Sequence, residues 1–138
     1  MVHIDYYSDD LHLQIVQVMG ESIINDVLEI TIRFVTEMII AEIKEGDNIN
    51  ISVSILRERY DVVLVFIYQC RQYSPISNAG DKSSHIDDFF NYYFDDIHHE
   101  YVDGENRLVF RFTMMSDADM QQKFLDALDR NSSRKNGI

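Results

Sequence analysis

The chain has 138 residues, 46% of them hydrophobic, and its 12 basic and 24 acidic side chains leave a formal charge of −12. That length suits one domain with a core of its own but not two, and so apolar a composition excludes an intrinsically disordered chain. A field of this sign repels phosphate backbones and anionic lipid, which argues against nucleic acid and membrane as partners.

Cys70 is the only cysteine, so no internal disulfide can form and a reducing compartment is the simpler setting. The longest apolar run, Val62 to Tyr68, is far too short to cross a bilayer. The start of the chain, Met-Val-His-Ile-Asp, lacks the basic and apolar regions of a signal peptide. A soluble cytoplasmic protein is expected.

Residues 2–7 alternate, with Val2, Ile4 and Tyr6 on one side, and predict a short strand. Ser8 is placed to cap a helix over about 9–19, where Leu11, Ile15, Val18 and Met19 share a face, and Gly20 should end it. A second, longer helix is predicted over about 23–45. Its apolar stripe (Ile24, Val27, Leu28, Thr31, Phe34, Val35 and Met38) is wide, and Asp26, Glu29, Arg33, Glu37 and Lys44 form a narrow polar one, so the helix belongs at the centre of the core. Gly46-Asp47-Asn48 breaks the period.

Strict alternation over 49–56 predicts a strand with one buried face, and Val62 to Tyr68, apolar at every position, predicts an internal strand over 60–68. The charged turn at Arg57-Glu58-Arg59 makes them a hairpin. Residues 69–85 form a long loop, of a kind usually kept for function or motion. Ser84 and Asp87 resemble a capping box for a helix over 86–97, in which Ile86, Phe89, Phe90, Tyr93, Phe94 and Ile97 keep helical rhythm. Asp103-Gly104 fits a hairpin turn between strands at about 98–102 and 106–114. Ser116 and Asp119 suggest a last helix, 117–129, with Met120, Phe124 and Leu128 turned inward, and 130–138 is expected to be a disordered polar tail. The expected whole is a single domain over 1–129. Its fold class is α/β, a two-layer sandwich whose mixed, mainly antiparallel sheet carries helices on one face.

This order resembles the ATP-binding domain shared by gyrase, the Hsp90 chaperone, histidine kinases and MutL (the Bergerat-like, GHKL-type fold), and within that superfamily the bacterial anti-sigma-factor serine kinases. The likeness covers roughly residues 23–114. Glu37 matches the Glu of the family's long helix, Gly46 matches the Gly that closes it, and Asp95-Asp96-Ile97 resembles the approach to the final hairpin. The departures are equally specific. Ala41 stands where the family has the Asn that coordinates magnesium, and Glu45 where it has a His. Tyr68-Gln69-Cys70-Arg71 stands where an Asp-x-Gly would recognise adenine, and Ser83-Ser84-His85-Ile86 lacks the glycines that let backbone amides approach phosphate. With only five glycines in the chain and no Walker-type loop, the residues also lack other means of neutralising polyphosphate.

Each remaining candidate has a plain reading beside it. Glu37 is a general base if the domain is active, and otherwise a member of the polar stripe, four residues from Arg33. His98 and His99 point to opposite faces of a strand and do not converge on one metal ion, and His3, His12 and His85 have no partner at helical spacing, so no metal site is expected. Cys70 would need a base such as His85 to act as a nucleophile. The aromatic run Phe89, Phe90, Tyr92, Tyr93 and Phe94 has core spacing, with Tyr92 on the outer edge. Val63, Val65 and Ile67, with Val109 beside them, would form an apolar patch on the second sheet face unless the first or last helix covers it.

The resemblance and its departures imply a regulatory protein-binding module that has lost ATP binding and needs no cofactor. Its implied partners are a sigma factor or an anti-sigma antagonist, with a homodimer compatible. The alternatives are an active, divergent ATP- and magnesium-dependent serine kinase using Glu37, or an unrelated small α/β scaffold.

Overall fold

The computed structural model of the chain describes residues 1–43, 50–58, 60–76, 85–114, 121–122 and 125–130, without the side chains of 85–87. In chain order the elements are β1 (Val2–Ile4), α1 (Leu11–Met19), α2 (Ile24–Glu42), β2 (Ile51–Glu58), β3 (Asp61–Gln69), α3 (His85–Tyr93), β4 (Asp96–Val102) and β5 (Glu105–Thr113). Residues 121–122 and 125–130 are also helical. The strands form one sheet in the order β1-β2-β3-β5-β4, and every pairing is antiparallel.

The apolar strand predicted from the sequence, β3, is the middle of that sheet. Its even positions Val62, Leu64, Phe66 and Tyr68 have no exposed surface. The register sets Leu64 between Ile55 and Phe110, and Phe66 between Val53 and Leu108. These side chains share one core cluster with Leu11, Ile15 and Met19 of α1, with the inner stripe of α2, and with Phe90 of α3 and Phe94 just after it. Burying each such side chain contributes roughly 1.5–3 kcal/mol.

Two of the hydroxyls that this packing buries are satisfied within their own helix. Within α2, the hydroxyls of Thr31 and Thr36 donate to the carbonyls of Val27 and Ile32, at 2.7 and 2.6 Å. The C-terminal end of α1 is closed by Gly20, whose φ of +69° suits a residue without a Cβ. Arg57 donates to the Met19 carbonyl at 2.8 Å, a cation where the helix leaves its carbonyls open. Phe90 is the aromatic hub, with ring centroids 5.5 Å from Phe34, 5.3 Å from Phe89 and 5.7 Å from Phe110.

Several boundaries differ from the sequence reading. β1 stops at Ile4 because Asp5 turns the chain, its carbonyl accepting from Ser8 N and its carboxylate from Tyr7 N. Ser8 does not cap α1; its hydroxyl bonds the carboxylate of Asp10 instead, and α1 begins at Leu11. The third helix ends at Tyr93 rather than at residue 97, and Ile97 lies in β4. Pairing with β5 wins over helical rhythm there: Asp95 N donates to the Arg111 carbonyl, the Asp95 carboxylate accepts from Thr113 N, and the β4–β5 ladder starts at Asp96. In the last helix, Leu128 was expected inward but is exposed, as is Leu125, and the helix continues through Arg130 into the segment expected to be a tail. The proposed caps at Ser84 and at Ser116–Asp119, the Gly46-Asp47-Asn48 break, Glu45, and Met120 and Phe124 lie outside the described residues.

Candidate functional site

Three places carry the residues that the sequence singled out. The first is the outer face of α2. Glu37 and Ala41 are both exposed there, one turn apart, and Met38 beside them is also exposed rather than packed. Among the described residues Glu37 has no hydrogen-bond or ion-pair partner, so nothing orients its carboxylate toward a substrate. Glu29 and Arg33, earlier on the same polar stripe, do pair, at 3.2 Å. Glu42, at the end of α2, forms an ion pair with Arg71.

That pair leads to the second place, the corner where the chain leaves β3. Asn106 on β5 is fully buried. Its carbonyl oxygen accepts from Tyr73 N at 3.0 Å and from His99 Nε2 at 2.9 Å. Its amide donates to the carbonyls of Arg71 at 3.1 Å and Cys70 at 3.3 Å. One side chain thus uses both its donor and acceptor capacity to hold residues 70–73 against the sheet. Tyr68, buried beneath, donates its hydroxyl to the Tyr73 carbonyl, and Ile76 then re-enters the core. Burial pushes the Tyr68 and Tyr73 phenols above their ordinary range. Cys70 is half-buried, and its thiol donates to the Arg71 carbonyl at 3.1 Å with the Asn106 amide 3.5 Å away. The carboxylate that reaches this corner is that of Glu42, which pairs with the Arg71 side chain. Sequence reasoning missed Asn106 because a lone Asn at the start of a strand has no local signature.

The third place is the second face of the sheet. α1, α2 and α3 all join the cluster on the other face, and Val65, though buried, stands outside that cluster. The register lines up Leu56, Val63 and Arg111 in one row, Ser54, Val65, Val109 and His98 in the next, and Ser52, Ile67, Arg107 and Glu100 in a third. A shallow cleft of about 310 Å³ opens over this face, with a floor of Leu56, Val63, Val65 and Val109. Arg107, Arg111, Glu58 and Asp61 also line it. The valines that the sequence marked as a second apolar face are therefore together.

The histidines point as strand alternation requires: His98 lies on the open face and His99 on the helix face against Asn106. In the aromatic run, Phe90 and Phe94 are buried and Tyr92 is 81% exposed, as predicted, but Tyr93 is exposed as well and Phe89 is only partly buried. His12, which has no partner at helical spacing, meets Glu29 across the two helices. No known protein family matches this chain, and no curated protein or solved structure matches it either.

Proposed function

We propose that this chain is a regulatory protein-binding module with the two-layer, Bergerat-like layout of the anti-sigma-factor serine kinases, and that it does not bind or turn over ATP. The observation that carries the second half is the corner after β3. The resemblance would put an adenine-recognising carboxylate there, and this chain has Asn106 spent on Tyr73, His99, Cys70 and Arg71, with Ile76 packed behind. Ala41, without a ligand atom at the magnesium position, supports the same reading, and so does a Glu37 that no described residue orients.

Binding then falls to a surface rather than to a pocket for a small molecule. The open sheet face fits that role: it combines an apolar floor with two arginines in a chain of charge −12, and apolar patches rimmed by charge are characteristic of protein contacts. The partner class implied by the resemblance is a sigma factor or an anti-sigma antagonist. Isothermal titration of the whole chain with Mg-ATP tests the loss of nucleotide binding. No heat of binding is expected up to millimolar ligand, and clear micromolar binding would overturn the reading.

A further inference from the structure

The geometry points to a divalent transition-metal site on the surface between α1 and α2, built by His12, Asp26 and Glu29, that clips the two helices together. This inference is independent of the function proposed above. One ligand atom from each of the three residues lies within 4.8 Å of the other two. His12 Nδ1 and Glu29 Oε2 are already 3.0 Å apart. Around an ion with bonds of about 2.0–2.2 Å, neighbouring ligand atoms sit roughly 3–3.5 Å apart, so that pair stands at coordination spacing and Asp26 needs only a side-chain adjustment. Asp26 is exposed and free to make it.

The backbone supplies the arrangement. Asp26 and Glu29, three residues apart on one helix, project from the same side of α2. His12 reaches them from α1, whose Leu11 and Ile15 are anchored in the core. Arg33 holds the other oxygen of Glu29 at 3.2 Å, which orients that carboxylate and leaves Oε2 for the metal. One imidazole nitrogen with two carboxylate oxygens suits zinc or cobalt, with water completing the shell. Magnesium and calcium prefer all-oxygen sets. A chain of charge −12 favours any cation, so selectivity among metals, rather than binding alone, is the mark of this site.

Calorimetric titration of the metal-free whole chain with ZnCl2 tests it, paired with thermal melting. One site of micromolar affinity is expected, with a melting temperature raised by on the order of 10 °C at about a hundredfold excess over Kd. MgCl2 should give neither effect. His12→Gln and Asp26→Asn alter exposed side chains, so each should melt like the parent in EDTA while weakening zinc binding by about tenfold or more. The site is overturned if the parent takes up no zinc at about 100 µM, or if His12→Gln binds it as the parent does, which would assign uptake to the other histidines.

Discussion

Asn106 has more depending on it than any other polar side chain described in this protein. It is buried and joins a strand to the segment 70–73, which is also tied to α2 by the Arg71–Glu42 ion pair. Asn106→Ala should destabilise the fold by about 2–3 kcal/mol, because the Tyr73 amide and the Arg71 and Cys70 carbonyls lose a fixed partner. Asn106→Asp should cost more, since it keeps the acceptor for Tyr73 but sets a buried charge against those carbonyls. Urea unfolding of the two variants orders them. Tyr68, in the same corner, makes stability depend on alkaline pH. Its phenol is raised from an ordinary 10.0 by burial first, then by Cys70 and Tyr73. Above about pH 10 the unfolded chain therefore gives up a proton that the folded chain keeps, and stability falls as pH rises, by about 1.4 kcal/mol per unit for this group. Unfolding measured from pH 9 to 11 should show that limb, and Tyr68→Phe should make it less steep, leaving the share of Tyr6 and Tyr73, whose phenols are also raised.

At the scale of elements, the β4–β5 hairpin shows where local signals suffice. Asp103 and Gly104 have φ of +52° and +81°, the left-handed pair that a two-residue hairpin turn requires. The sequence Asp-Gly announces that turn without knowledge of the rest. A Cβ at Gly104 would meet nothing within 4 Å, so substitution there reports backbone strain without a clash. Gly104→Val should lower stability by about 1–2 kcal/mol with native spectra retained, as read by thermal melting. The other end of the same hairpin shows the limit. Residues 94–97 keep helical apolar rhythm, yet they leave α3 because strand pairing along β5 offers a ladder that a helix end cannot match. α1 likewise starts without a side-chain cap and is held by its buried face, since a helix of nine residues is marginal by propensity alone.

At the scale of the whole molecule, α1, α2 and α3 pack on one face of the sheet, and the other face has its own chemistry among the described residues. Arg107 and Arg111 are exposed there, so reversing both charges should leave the melting temperature within about 1–2 °C while abolishing partner binding. Arg107→Glu with Arg111→Glu, compared with the parent in sedimentation and in partner titration, separates that outcome from a surface without a role. Retained partner binding by the double variant would remove the open face from the proposed function.

The sequence by itself determined the order of the elements, the central place of the 61–69 strand, the buried stripe of the long helix and the Asp103-Gly104 turn. Each of these follows from periodicity or turn chemistry within a few residues, which is all that a local pattern can encode. It also singled out Ala41 and the end of β3, on which the proposed loss of ATP binding rests. Only the tertiary structure decided the sheet order, the exit of Ile97 from the helix, the fastening of residues 70–73 by Asn106 and the meeting of His12 with Glu29. Those features join residues from 13 positions apart, as Ile97 and Phe110, to 36 and more, as Cys70 and Asn106. Contacts across such spans are chosen by burial and strand pairing, and no single segment carries their signature.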